Sequence, residues 1–219
     1  MIIRETFVKD LDKLRDQIIR MGSEAEDNLQ TAVSALIARN LSVSRQIIEA
    51  DRWFNEIQIK ITMDSLKLIA TQQPIASDLR FIAAVMGIAN ELERIHDYIK
   101  GLGKISILIG DDPIPKGVIT ELPLMAEKAK GMLNRAITAF TLGDAEAAKK
   151  IPLLDDEIDD LYKVIYRRLA KFIMKHPEKI DAMHRLDWAN HNLERLADRV
   201  SNICEWVVYM DTGKLTEFN

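Results

Sequence analysis

The sequence predicts an all-α protein made of two tandem, pseudo-symmetric three-helix bundles. Glycine and proline are scarce, at 9 and 6 residues in a chain of 219, and they cluster between long segments. Within those segments apolar residues recur every three or four positions, which is the period of an amphipathic helix. The pattern then repeats after about 100 residues, a unit large enough to bury a core of its own.

Three helices are predicted in the first half. The first spans roughly residues 4 to 39, whose apolar side chains trace one stripe. The second spans about residues 43 to 71 and stops before Pro74, because proline cannot continue a regular helix. Ser77 or Asp78 is expected to cap the third helix. That helix should end near one of three glycines: Gly101, Gly103 or Gly110.

The second half repeats this arrangement after the segment at residues 111–117, whose prolines and glycine are typical of a linker. Its helices are predicted near residues 119 to 141, 145 to 174 and 179 to 210. The chain is therefore divided into a first bundle at residues 1–110, a linker at 111–118 and a second bundle at 119–219.

The repeat extends to individual residues. Residues 93–97 read ERIHD and residues 194–198 read ERLAD, and Asp51 upstream corresponds to Asp155. Side chains four positions apart share one face of a helix, so each half presents two polar pairs, one on its second helix and one on its third. Packed neighbouring helices bring such pairs together, and clustered carboxylates suit Mg²⁺, Mn²⁺ or iron. The candidate metal ligands are Asp51, Asn55, Glu93, Asp97, Asp155, Asp159, Glu194 and Asp198.

A solvated helix face is the alternative explanation of these carboxylates, with Lys100, Arg94, Arg195 and Arg199 as ion-pair partners. The repetition favours a metal site, because a solvated face constrains the number of charges but not their order. Without a cation the carboxylates would repel one another, so neutralising them in metal-free protein should raise its melting temperature.

Other polar residues are open as ligands. His96 lies three positions after an acidic candidate, and a stripe along the last helix carries three more residues that either ligate a metal or form a wet edge: His184, Asp187 and His191. The tryptophans are expected in core or interface positions: Trp53, Trp188 and Trp206. Cys204 lies in an apolar helical segment and is expected to be a packed thiol.

The composition limits the function classes. A net charge of -4 and a pI near 5.7 argue against nucleic acid as a partner. The single cysteine and the charged residues near the start indicate a cytoplasmic protein, and the longest apolar stretch, residues 81–89, is too short to cross a membrane. The chain lacks a phosphate-binding glycine loop, a nucleophile elbow and a His-Glu-x-x-His motif, so no enzyme activity is expected.

Three segments resemble the PhoU family: residues 76–80 (ASDLR), 91–97 (ELERIHD) and 192–205 (NLERLADRVSNICE). The resemblance implies a PhoU-like pair of bundles that forms a homodimer or higher homo-oligomer and binds metal ions, such as iron, zinc, manganese or magnesium, at its acidic motifs. It also implies a negative regulator of phosphate uptake and phosphate-starvation signalling. The implied partners are the ATPase of a phosphate ABC transporter and a phosphate-sensing histidine kinase, so that any association with the membrane is through them.

The chain departs from the family pattern at three positions. His96 and Ala197 stand where the family often has glycine, and Asn55 stands where it often has aspartate. Because Asn55 provides an amide oxygen without a charge, the second half is expected to hold a cation more tightly than the first.

Two other functions fit parts of the sequence. Glu93 and His96 have the Glu-x-x-His spacing of ferritin-like di-iron carboxylate oxidases, but such a site needs a second copy of the motif, and Ala197 occupies the corresponding position. A helical adaptor that binds no metal is the other alternative.

Overall fold

The structure, a computed structural model, describes residues 2–110, 113–115 and 117–218. Long helices account for most of these residues and no β-strand occurs among them, which confirms the all-α prediction. Three residues of the predicted linker, Asp111, Asp112 and Lys116, lie outside the described residues, and the predicted domain boundaries stay a prediction.

The first bundle consists of three long helices: α1 (Ile2–Ala38), α2 (Leu41–Gln72) and α3 (Ala76–Ile109). Asn40 caps α2, since its side-chain oxygen accepts a hydrogen bond from the backbone N–H of Val43 at 3.2 Å. The predicted cap of α3 by Ser77 or Asp78 is wrong, because Ile75 holds the N-cap position and both polar residues lie within the first turn. Helix α3 ends at Gly110, whose φ of 61° is a conformation that glycine adopts without strain.

The second bundle contains α4 (Leu122–Leu142), the single turn α5 (Ala145–Ala148), α6 (Asp155–Lys175) and α7 (Ile180–Thr212). The predicted continuous helix from residue 145 to residue 174 is wrong, because the chain leaves the helix after α5 and forms a 3₁₀ turn at Pro152–Leu154. Pro152 has no N–H to donate, and its ring clashes with the carbonyl four residues earlier in a helix. The break places Asp155 in the first turn of α6.

Helices α3 and α7 form the most extensive helix pair among the described residues and join the two bundles. They run antiparallel, since the early part of α3 lies beside the late part of α7: Gly87 faces the Trp206 indole, whereas Arg185 donates to the carbonyl of Leu108. The apolar side chains of both helices belong to one buried cluster that continues into α1, α2, α4 and α6.

Polar contacts across this pair are reciprocal. The amide of Asn202 donates to Glu91 at 3.2 Å, and the amide of Asn192 donates to the carbonyl of Tyr98 at 3.3 Å and lies against Gly101. When the two ERxxD runs are aligned, Glu91 corresponds to Asn192 and Gly101 corresponds to Asn202. Contacts of this kind are those of a self-complementary interface around a twofold axis, in agreement with two pseudo-symmetric bundles.

Two further expectations concern the burial of Cys204 and the length of the apolar segments. Cys204 is fully buried, and burial raises the pKa of its thiol to about 12, so the prediction of a packed thiol is confirmed. Among the described helices, none has a segment long and apolar enough to cross a membrane.

The α3–α7 contact can be tested with Gly87→Ala. A Cβ at Gly87 would lie 2.1 Å from Cε2 of Trp206, so the helices must move apart or the indole must turn. We expect a loss of about 1–3 kcal/mol in the free energy of unfolding, measured by chemical denaturation. Gly131→Ala in α4 is the control: apart from its chain neighbours and the adjacent backbone of its own helix, no heavy atom of the described residues lies within 4 Å of its Cβ, and the better helix propensity should stabilise by about 0.5–1 kcal/mol. Equal effects of the two changes would contradict the close contact between Gly87 and Trp206.

Candidate functional site: two acidic helix faces

The acidic face of the first half contains a lysine. Lys100 on α3 donates to Oδ2 of Asp51 on α2 at 2.8 Å and to Oδ1 of Asp97 at 2.6 Å. Its side chain is only 20% exposed. Burial raises the pKa of Asp51, but the hydrogen bonds from Lys100 and then from His96 outweigh burial and leave that pKa below its usual value. The carboxylate of Asp51 is therefore neutralised within the protein.

His96 is fully buried behind this pair. Its ring stacks on Phe54, with centroids 3.8 Å apart, and burial lowers its pKa to about 4. In the neutral tautomer that these contacts favour, Nε2 accepts from the amide of Asn28 at 3.2 Å and Nδ1 donates towards Oδ1 of Asp51 at 3.4 Å. Both ring nitrogens have protein partners, so neither is directed at a cation.

The remaining candidate ligands of the first half include Asn55 and Glu93. The amide of Asn55 donates to Oδ2 of Asp51 at 3.1 Å and to the Asp51 carbonyl at 2.9 Å. The Asn55 amide nitrogen thus faces the Asp51 carboxylate, whereas the corresponding residue of the second half, Asp159, carries a negative charge. Glu93 has a raised pKa, first because it is partly buried and then because Asp97 and Asp51 repel its charge.

The acidic face of the second half lacks an equivalent neutralising group at its centre. Burial and then the charges of Asp198, Asp159 and Glu194, in that order, together raise the pKa of Asp155 to about 7. Oδ1 of Asp155 is buried and accepts no hydrogen bond from any described residue. The charges of three other carboxylates therefore act on Asp155 with much of their repulsion uncompensated.

Cations do lie at the edge of this face. Arg195 pairs with Asp198 at 2.6 Å, and the exposed Lys163 is 4.0 Å from Asp159. The pKa of Glu194 is raised by burial first and then by Asp198. Its Oε2 atom lies 3.3 Å from Nδ1 of His191 but makes no hydrogen bond with the described residues. These cations neutralise the rim and leave the Asp155 and Glu194 oxygens unsatisfied.

The other candidates on α7 have separate positions. Asp187 has a buried Oδ1 with no hydrogen-bond partner in the described chain, one turn from His191. His184 is exposed and packs against Trp188, which is itself 51% exposed and thus available to an interface rather than part of the core. In the described part of the chain no three His, Cys, Asp or Glu side chains already stand in an arrangement that would hold a metal ion.

The difference between the halves changes one expectation. Neutralising Asp155 should stabilise the second half, because it relieves charge repulsion. Neutralising Asp51 should destabilise the first half, because it removes the partner of Lys100. Sequence reasoning treated Lys100 only as a solvated counter-ion. The alignment of the two ERxxD runs could have revealed its role, because the residue that corresponds to Lys100 in the second half is Ser201, which is buried and neutral.

Comparison with known proteins gives a consistent result over both halves. A family model described as PhoU domain matches twice, at residues 18–105 and 122–207. A protein from Clostridium acetobutylicum described as "Phosphate-specific transport system accessory protein PhoU homolog" is 31% identical over 218 residues, covering 99% of this chain and 99% of its own length. A homologue with the same description from Rhizobium meliloti is 32% identical and covers 96% of this chain and 89% of its own.

Solved structures share the fold. The crystal structure of the phosphate transport system regulatory protein PhoU from Streptococcus pneumoniae superposes with a TM-score of 0.88 at 28% identity, covering 97% of this chain and all of that one. The crystal structure of PhoU from Pseudomonas aeruginosa superposes with a TM-score of 0.89 at 29% identity, covering 95% of this chain and all of that one.

The raised pKa of Asp155 predicts a pH-dependent stability. In metal-free protein the folded state holds this proton up to about pH 7, whereas the unfolded state loses it near pH 4, so stability falls as pH rises between these values. We expect Asp155→Asn to raise the melting temperature at pH 8, by roughly 2–4 °C for about 1 kcal/mol of relieved repulsion. The gain should vanish near pH 4.

Asp156→Asn is the matched control, because it removes the same charge from the exposed neighbouring residue. Its effect should stay within about 0.5 kcal/mol at both pH values. A gain for Asp155→Asn that is independent of pH would show that charge repulsion is not its cause.

Proposed function

Because the chain belongs to the PhoU family, we propose that it is an accessory protein of a phosphate transport system and regulates phosphate uptake. The observation that carries this proposal is the match of the PhoU domain to both halves of the chain, with similarity that extends over nearly the whole length of proteins described as phosphate-specific transport system accessory proteins.

The proposed action is negative regulation through protein contacts. The chain would restrain a phosphate ABC transporter through its ATPase and phosphate-starvation signalling through a sensor histidine kinase. Two surface features support an adaptor: a stripe of exposed apolar side chains on α2, formed by Ile59, Met63 and Leu66, and the exposed Trp188 on α7. Such side chains suit contacts with partner proteins or with other copies of the chain in a homo-oligomer.

We further propose that the second half binds a divalent or transition metal ion. The donor set fits, because the buried oxygens of Asp155, Glu194 and Asp187 accept no hydrogen bond from the described residues, and carboxylates that repel each other are drawn together by a cation. Asp159 and Asp198 would complete the set. A bound ion would supply positive charge that ties α6 to α7.

A ferritin-like di-iron oxidase finds little support. Its motif requires the imidazole of His96 as a ligand, yet both nitrogens of that ring face protein partners and its stacking on Phe54 holds it in place. Ala197, at the matching position of the second half, is fully buried and provides no ligand.

The metal proposal predicts an asymmetry between the halves. Metal-free protein loaded with Mn²⁺ or Zn²⁺ and passed through a desalting column should retain metal, measured by elemental analysis. Glu194→Gln with Asp198→Asn should remove more of it than the matched changes Glu93→Gln with Asp97→Asn. Equal losses from both pairs would contradict the asymmetry. Loss from neither pair would indicate a helical adaptor that binds no metal at these residues.

The regulatory role predicts a phenotype. In a strain that lacks the chain, phosphate uptake and the output of a phosphate-starvation reporter should stay high in phosphate-rich medium, because the restraint on both is removed. Expression of the intact chain should restore repression, and Gly131→Ala provides a folded variant that should restore it equally. Unchanged uptake and unchanged reporter output in the deletion strain would refute the role.

A further inference from the structure

Lys100 occupies the place at which a cation would stand in the first half. Its ammonium group bridges two helices, with Asp51 of α2 at 2.8 Å and Asp97 of α3 at 2.6 Å. Hydrogen bonds between charged groups are stronger than those between neutral groups, and the Lys100 side chain is only 20% exposed. The two carboxylates thus meet a positive charge that belongs to the chain itself.

Both carboxylate oxygens of Asp51 already face hydrogen-bond donors of the protein. Oδ1 faces Nδ1 of His96, and Oδ2 accepts from both Lys100 and Asn55. A metal ion could bind Asp51 only by displacing these donors, and it would then lie beside the Lys100 ammonium, whose charge repels it. The residues of the first half therefore do not fit a metal ion.

The second half has exchanged each of these donors. At the positions that correspond to Lys100, His96 and Asn55 it carries a hydroxyl, a methyl group and a carboxylate: Ser201, Ala197 and Asp159. The consequence is visible in the side chains, because Oδ1 of Asp155 is buried without a hydrogen bond from the described residues, whereas its counterpart Asp51 is saturated.

We propose that the ammonium of Lys100 is the resident cation of the first half, which ties α2 to α3 and excludes metal ions from that acidic face, so that only the second half responds to an added cation. The first part of this statement stands on the geometry of Lys100 alone. The response of the second half rests on the proposed metal site.

The first test needs no metal. In chelator-treated protein at pH 8, Asp51→Asn should lower the melting temperature, because it removes the partner of Lys100. Asp155→Asn should raise the melting temperature under the same conditions. Lys100→Gln should also lower it, and Lys104→Gln, the same change at an exposed site one turn later on α3, should leave it within about 1 °C of wild type. A rise for Asp51→Asn, or no difference between the two lysine variants, would overturn the proposal.

The second test measures binding of Mn²⁺ or Zn²⁺ by titration calorimetry, with folding checked by circular dichroism. Wild type and Lys104→Gln should bind at the second half only. Lys100→Gln should gain at least one ion per chain, and adding Asp51→Asn should abolish the gain. Ser201→Lys should weaken binding at the second half by at least tenfold, because it introduces a cation at the position that corresponds to Lys100.

The outcomes separate the two proposals. A folded Lys100→Gln protein that gains no ion while wild type binds metal would overturn the exclusion of metal by Lys100, as would wild-type metal that is lost on Glu93→Gln with Asp97→Asn. If no variant binds metal, the metal site of the second half and the exclusion fail together. The opposite effects of Asp51→Asn and Asp155→Asn on the melting temperature would still support Lys100 as the tie between α2 and α3.

Discussion

The antiparallel packing of α3 against α7 is the constraint on which both acidic faces depend. Each of these helices buries one side against the other and a second side against the remaining helices of its own bundle. Only a narrow strip is left for polar residues. On α3 this strip carries Glu93, Asp97 and Lys100, spaced by four and three positions so that they lie above one another. The apolar interface thus determines where charge can be placed.

Several carboxylates on such a strip repel one another, and the two bundles reduce this repulsion in different ways. In the first bundle Lys100, Asn55 and His96 donate to Asp51, so repulsion is relieved within the chain. In the second bundle Arg195 reaches the rim, but Asp155 is left with a pKa of about 7. One fold therefore contains a neutralised face and a face in which protonation or an added cation relieves the charge.

The sequence predicted the parts of the structure that depend on periodicity. The helix type, the duplication and the burial of Cys204 all follow from the spacing of apolar residues, because the same spacing decides which face meets the core. The break before α6 was missed although Pro152 marks it, since the apolar pattern continues across the break. The cap of α3 was missed because Ser77 and Asp78 have strong cap preferences that the local backbone does not use.

Pairing between helices was beyond the reach of sequence reasoning. Spacing shows that Asp97 and Lys100 share a face, but whether Lys100 also reaches Asp51 depends on the rotation and separation of α2 and α3. The same holds for His96, whose sequence position is compatible with a metal ligand and whose burial against Phe54 makes it a neutral core residue. Only the three-dimensional arrangement distinguishes these alternatives.

The duplicated architecture explains how such different faces can coexist. After a duplication, the pseudo-twofold contact between α3 and α7 needs the same apolar positions from both halves, and these positions leave the polar strips free to diverge. A lysine in the strip makes one bundle independent of added cations, because the neutralising charge is covalently attached and always present. With Ser201 at the same position, the other bundle has no lysine at the centre of its acidic face, and Arg195 and Lys163 lie only at its rim. A cation bound as proposed would tie α6 to α7 as Lys100 ties α2 to α3, so each acidic face is connected to one of the two helices that join the bundles.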